Sequence, residues 1–262
     1  MSLFQAALWA EALKAWRSKV PWVTALGFAM IPLAGGLFMF VLKYPESARS
    51  MGLVSAKAQI LAGVADWPAL LSLIVQGTAI GGSLLCALMT AWVFGREFSD
   101  RTAKELLALP TPRAAPVAAK FLVIFAWAAV VTALAWGMGL LVGAAMDIPG
   151  WSADLMWRAA GVLAGAAGLS LALMPMVALV ASAGRGYLPP MGWAILTMAL
   201  AQIIQLLGWG AWFPWAVPAL FTMLGDSRAA DLGPHSYLVV GLACAVGLAV
   251  TFAWWQRADQ SR

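Results

Sequence analysis

Ionisable side chains are scarce in this sequence. Of 262 residues only 10% are Asp, Glu, Lys or Arg, where an ordinary soluble domain carries about 25%. So little charge cannot clothe a water-facing globule, and it also excludes disorder, which needs high charge and low hydrophobicity. Two cysteines cannot staple a chain this long, so a secreted disulfide scaffold is excluded. The single histidine, His235 beside Pro234, cannot form a paired-histidine metal site. No GxxxxGK(S/T) loop is present to cradle nucleotide phosphates. There is no GxSxG elbow and no carboxylate pair in an apolar run. Met174-Pro175-Met176 supplies two thioethers without further ligands, and Cys86 and Cys244 read as small packing residues. The chain is therefore expected to have no catalytic residues, no metal site and no cofactor of its own, and not to be an enzyme.

What is abundant is apolar surface, at 63% of the residues. A helix needs about 20 such residues to cross a hydrocarbon layer of roughly 30 Å. Charge-free stretches predict spans at 20–42, 69–94, 118–145, 159–183, 188–207 and 237–256. No charge interrupts the residues between Arg185 and Asp226, which is too long for one crossing. Gly208-Trp209-Gly210, Pro214 and Pro218 break regular helix there, so 208–224 is read as a re-entrant segment rather than a seventh span. Residues 1–19 form a short helix in the headgroup plane, with Trp9, Leu13 and Trp16 on one side and Glu11, Lys14 and Ser18 on another. They are not a signal peptide, because the apolar run starts only at Val20 and no cleavage site follows it. The fold class expected is an all-α polytopic membrane protein with six transmembrane helices in a single permease domain. An N-terminal interfacial helix and a re-entrant element between spans five and six complete it.

Cations choose the orientation. With the N-terminus inside, inner segments hold Lys14, Arg17, Lys19, Arg96, Arg101, Lys104, Arg113, Lys120, Arg185, Arg257 and Arg262, and outer ones hold Lys43, Arg49, Lys57, Arg158 and Arg228. Eleven against five favours six spans with both termini cytoplasmic. The net charge of +5 then reflects loops held at an anionic leaflet, not a nucleic-acid partner. No charged residue falls in mid-span, which argues against a self-contained proton antiporter.

One inner segment, residues 95–117, stands apart. It contains Arg96, Glu97, Asp100, Arg101, Thr102, Lys104, Glu105 and Arg113. Thr102 and Glu105 have capping-box spacing, which would start a short helix that Pro110 and Pro112 stop. Leu106, Leu107 and Leu109 give it an apolar contact face. On these grounds it is either a docking knob for another protein or a solvated loop that sets topology. The string GREFSDRTAKELLALPTPR resembles the first intracellular loop of bacterial type-2 ABC exporter permeases, through Glu97, Thr102, Lys104, Leu106, Leu107, Pro110 and Arg113. The stretch from Gly208 to Pro218 is similar to that of the bacitracin- and lantibiotic-immunity-type permeases. The resemblance implies an ATP-driven exporter in the bacterial inner membrane, with the loop as a coupling helix seated on a cytoplasmic ATPase. It further implies two permease chains, identical or paralogous, and two ATPase chains that hold ATP and Mg. The implied cargo is a peptide antibiotic, drug or other amphipathic compound. A non-pumping immunity protein and a permease for lipid or glycolipid are the alternatives. Arg96 and Glu97 are set aside as residues that would instead tie the loop to the N-terminal helix.

The most polar mid-span residues are Gln76, Thr78, Gln202 and Gln205, which serve either as glue between helices or as the substrate path. Trp209 and Trp212 either gate that path or anchor in headgroups beside membrane lipid. Gly77-x-x-x-Gly81, Gly139-x-x-x-Gly143 and Gly161-x-x-x-Gly165 are packing features.

Overall fold

The computed structural model describes residues 2–52, 63–102, 112–223 and 232–257. Helices make up its regular structure, with no strand among the described residues. They are α1 (Leu3–Trp16), α2 (Lys19–Lys43), α3 (Pro45–Ser50), α4 (Trp67–Gly77), α5 (Ser83–Ser99), α6 (Ala114–Ala145), α7 (Ala153–Ala172), α8 (Met174–Ala183), α9 (Leu188–Leu206), α10 (Val217–Phe221) and α11 (Pro234–Arg257). A π-turn, Thr78–Gly82, joins α4 to α5. Among the described residues six helical units are long and apolar enough to cross a membrane: Lys19–Lys43, Trp67–Ser99, Ala114–Ala145, Ala153–Ala183, Leu188–Leu206 and Pro234–Arg257. In hydrocarbon every backbone amide must be paired within its own segment, which is why these runs become helices and not sheet. The protein is a multi-pass membrane protein. An even number of crossings puts both chain ends on one side, which we call the terminal face.

Side-chain caps set where several helices begin. Ser2 and Gln5 form a reciprocal capping box on α1. The Ser18 hydroxyl accepts from the Val20 amide at 3.2 Å, and Asp66 Oδ1 accepts from Ala69 at 2.9 Å. On the face opposite the termini, the Lys43 ammonium donates to the Met146 and Asp147 carbonyls at 2.6 and 2.9 Å. A cation there neutralises the negative end of α6.

The helices outrun the charge-free stretches that announce them. The second span continues to Ser99, and the third begins at Ala114. With 32 residues, α6 is about 48 Å long, well beyond the roughly 30 Å of hydrocarbon. The ends of spans two and three thus run on past the charge-free stretches as paired stalks. Residues 103–111, the tip between them, lie outside the described residues, as do 53–62 between spans one and two.

Two spans are broken in mid-course. Span two carries the π-turn, and span four breaks at Leu173, where Pro175 cannot donate a helical hydrogen bond. Thr251 of α11 donates to the Pro175 carbonyl at 3.4 Å. Beyond α9 the chain turns at Gly208, whose φ of +81° favours glycine. It then forms a 3₁₀ turn, Gly210–Trp212, and the buried five-residue α10, which packs on α7.

Glycine sets the closest helix approaches. A Cβ on Gly143 would lie 2.4 Å from Trp67 Cη2, and one on Gly139 would lie 2.4 Å from Ile74 Cδ1. Both members of that pair seat α4 against α6. In the other two motifs only one glycine is needed, Gly77 against Ile31 and Gly165 against Phe221, while Gly81 and Gly161 face open space. The Trp67 ring is buried and cannot swing aside, so Gly143→Ala should cost about 1–3 kcal/mol by overpacking. Gly137→Ala, where nothing lies within 4 Å, should be neutral. Thermal melts of the two purified variants check the contrast.

Candidate functional site

Four charges meet where the stalks leave the bundle. Glu11 and Lys14 lie three apart on one side of α1, Glu97 sits in the last turns of α5, and Lys120 in the second turn of α6. The Lys120 ammonium donates to Glu11 Oε2 at 2.9 Å, to Glu97 Oε1 at 2.8 Å and to the Val93 carbonyl at 3.1 Å. All three of its hydrogens are used. Lys14 closes the ring, donating to Glu11 Oε1 at 2.7 Å and to Glu97 Oε1 at 3.0 Å. The side chains of Lys120, Glu97 and Glu11 are 0%, 1% and 5% exposed, and Lys14 is 31% exposed. Two positive and two negative charges leave the ring neutral, the condition under which charges can be buried at all.

The polar loop hangs from this ring. Thr102 donates its hydroxyl to the second oxygen of Glu97, Oε2, at 2.6 Å. Just before it, Arg101 takes a left-handed conformation, φ 58°, turning the chain back toward the ring. Glu97 is therefore bonded at once to α1, to α6 and to the loop. Arg96 points elsewhere, over the Trp92 ring at 4.9 Å and 3.9 Å from the Asp100 carboxylate. At the other root of the loop, Arg113 Nη1 donates to the Gln256 carbonyl at 3.0 Å, capping α11. Lys104, Glu105, Leu106, Leu109 and Pro110 lie outside the described residues.

Neighbouring groups stiffen the root. A Cβ on Gly95 would meet the Gly186 carbonyl oxygen at 2.9 Å, so the turn between spans four and five presses on the end of span two. Tyr187 of that turn hydrogen-bonds Ser99, and burial pushes its phenol above the ordinary value. Phe98 packs edge-on against Trp254 at 5.6 Å and tilted against Trp255 at 5.7 Å. Burial works against the Lys14 charge, but Glu11 and Glu97 outweigh it and hold its ammonium above the ordinary 10.5. A raised lysine value means that its share of stability is complete below the unfolded pKa. That share is lost only as pH climbs through the folded one, so Lys14 is insensitive to pH near neutrality.

The candidate path residues separate. Gln202 and Gln205 line a narrow cleft among spans two, four and five and α10, together with Ser83, Ser170 and Trp215. Ser83 donates to Ser170 across it at 2.8 Å. The cleft holds about 40 Å³, room for a water and not for a peptide. Gln76 and Thr78 do not line it. Gln76 bonds Ser72 on its own helix at 2.9 Å, and the buried Thr78 hydroxyl has no partner at the mouth of the π-turn. Trp209 and Trp212 are 66% and 60% exposed, and Trp212 stacks on His235 at 4.3 Å. Among these indoles it is Trp215 that faces the cleft.

Sequence reasoning did not assign Glu11, Lys14, Lys120 or Tyr187 to the site. The available signal was Lys120 itself, a charge two turns inside a helix otherwise apolar for its whole length.

Six helices long and apolar enough to cross a membrane, with the loop held to them at Thr102, define a multi-pass membrane protein. A family model described as ABC-2 family transporter protein matches residues 7–201, which include the whole charge ring and the loop; the chain belongs to this family. It is also similar to the bacitracin transport permease protein BCRB of Bacillus licheniformis, 23% identical over 179 residues that make up 68% of this chain and 85% of that protein. No solved structure matches it.

The ring can be tested without any transport assay. Lys120→Met leaves two buried carboxylates facing Lys14 alone and should destabilise the protein by about 3–5 kcal/mol. Removing Glu97 as well, in Lys120→Met/Glu97→Gln, restores the charge balance and should recover more than half of that loss. Melting temperatures in detergent read both effects.

Proposed function

We propose that this chain is the transmembrane subunit of an ATP-driven exporter, moved by a separate cytoplasmic ATPase that engages residues 95–117. The terminal face is the cytoplasmic one, and the membrane is the bacterial inner membrane. The observation that carries the reading is the bond from Thr102 to Glu97. Because Glu97 is also held by Lys14 and Lys120, a push on the loop is delivered to α1, α5 and α6 together. Span two belongs both to that root and to the wall of the polar cleft, so tilting it alters the cleft. The bias of lysine and arginine toward inner segments supports the orientation.

The working unit is two permease chains with two ATPase chains. Gln202 is exposed on the surface of α9, and an amide facing hydrocarbon is costly; a second chain against that face, identical or paralogous, would cover it. The cargo is amphipathic and uncharged in its buried part, since the cleft offers serine and glutamine among apolar walls but no ion. A peptide antibiotic fits that description, and the transport named for the Bacillus relative supports it. At about 40 Å³ the cleft is closed, so the cargo enters only in a second state of the helices. ATP and Mg belong to the partner, whose differential grip on the loop must favour one state over the other. Lys104, Glu105, Arg101 and Arg113 are the residues we assign to that grip.

Lys104→Ala/Glu105→Ala should insert normally and still abolish export, with the partner ATPase no longer stimulated by cargo. Coupled export in that variant would remove the loop from the mechanism, and failure of any ATPase to copurify would favour a non-pumping immunity protein. At the cleft, Gln205→Leu should shift half-maximal cargo stimulation by about fivefold, the worth of one hydrogen bond.

A further inference from the structure

A second concavity lies on the outside of the bundle, at the terminal face. It is a groove of about 660 Å³ between α1, the start of α2 and α6, lined by Leu8, Ala12, Trp16, Trp22, Ala126 and Trp127, among others. Its size falls within the range of ligand sites. We propose that it binds one anionic phospholipid, an acyl chain lying in the groove and the phosphate on Arg17 and Lys19.

The walls decide the first half. Every lining residue is apolar or aromatic, and the indole N–H of Trp127 is already spent on the Thr24 hydroxyl at 3.0 Å. Apart from the indole N–H groups of Trp16 and Trp22, the lining offers no polar side chain to a ligand. Trp16, Trp22 and Trp127 form an edge-to-face series with ring centroids 5.3 and 6.2 Å apart, a rigid wall rather than a loose seam. The groove also has a direction. It runs along α6 from Leu122 to Val130, about 12 Å at a helix's rise, starting beside the terminal face and going deeper into the bundle. An acyl chain descending from a headgroup follows the same course. Trp16 marks the headgroup end, where tryptophan prefers to sit.

Charge at that end decides the second half. Arg17 follows Trp16, and Lys19 lies two residues before the groove-lining Pro21. Both cations are exposed, and neither has a hydrogen-bond or ion-pair partner among the described residues. The carboxylate of α1, Glu11, is consumed by Lys14 and Lys120, so no free carboxylate of α1 offsets them among the described residues. Two uncompensated cations at the mouth of an apolar groove fit a lipid phosphate and carry no preference for a zwitterion. Because α1 forms one wall, an acyl chain there would brace the same helix that supplies Glu11 and Lys14 to the charge ring. The proposal does not depend on what the protein transports.

Native mass spectrometry of the full-length protein in detergent, titrated with dioleoyl phosphatidylglycerol or dioleoyl phosphatidylcholine, tests it. The first phosphatidylglycerol should bind about tenfold or more tightly than phosphatidylcholine, as two cations near a headgroup imply. Arg17→Gln/Lys19→Gln should reduce it to the phosphatidylcholine level, and Ala12→Phe/Ala126→Phe should abolish the first site for both lipids. Should the groove-filling variant not fold, the charge variant still decides, because its side chains are exposed. In that variant the extra rise in melting temperature given by phosphatidylglycerol over phosphatidylcholine should vanish. Equal binding of the two lipids, or unchanged preference in the charge variant, would overturn the site and leave only annular lipid. A disulfide between two copies of Ala126→Cys, in a Cys86→Ala/Cys244→Ala background and without retained lipid, would overturn it in favour of a second chain as the occupant.

Discussion

Taking a single charge out of water costs several kcal/mol even after the protein relaxes around it. At the terminal face three ionisable side chains are almost wholly buried and a fourth partly so, and they persist because each satisfies the others. Lys120 spends its three hydrogens on Glu11, Glu97 and Val93, while Glu97 accepts from Lys14, Lys120 and Thr102. Such a ring weakens sharply when one member is lost, because the remainder is left charged and desolvated. The placing of α1 on the bundle, the joining of the two antiparallel stalks and the start of the polar loop all meet at it.

The opposite face is built on a different plan. There helix ends are finished singly, by Lys43 on the last carbonyls of α6, by Asp66 on α4 and by Ser152 on α7. The ion pair between Arg158 and Asp154, 2.8 Å apart, is exposed on both sides and by that measure contributes little. Asp66 and Ser152 each cap their own helix, while the Lys43 ammonium ties the end of α2 to the turn that follows α6. Among the described residues the buried four-charge ring lies on the face that carries the loop, where elements 109 residues apart in the chain are joined by one ammonium.

Much of this was legible in the sequence, because a membrane forces its demand on contiguous residues. Six charge-free runs gave six crossings, and Pro175 announced the break in span four. The polar loop between Gly95 and Lys120 was visible as charge in an otherwise apolar chain, and Gly139 with Gly143 as a close approach. What stayed hidden was pairing at long range. The sequence sorts α1 into an aromatic and a charged side, but which one meets the bundle is not a local property. Trp9 and Trp16 face outward, 68% and 67% exposed, and Glu11 is buried, the reverse of a helix on a soluble protein. Lys120 and Glu97, on helices about a hundred residues away, pair with Glu11 and Lys14 and make that orientation favourable. The π-turn was hidden for a related reason: Thr78–Gly82 is as apolar and small as many regular helical stretches, and Phe28 lies against Gly82 there.

Why the loop should be rooted in ions and not in apolar packing follows from how each responds to displacement. Leucine against leucine tolerates sliding, because dispersion is weak for each atom pair and nearly direction-free. A carboxylate shared by two ammoniums and a hydroxyl has few arrangements of comparable energy, so a small shift at Thr102 must be followed by Glu97 or be paid for in broken bonds. The root is then stiff for small motions and abrupt for large ones, a property that the proposed coupling requires. The aromatic clamp of Phe98, Trp254 and Trp255 adds bulk to that stiffness without adding a direction. Direction comes from the ring, whose bonds tie the loop to α1 on one side and to the stalk of span three on the other, so that the three cannot tilt independently.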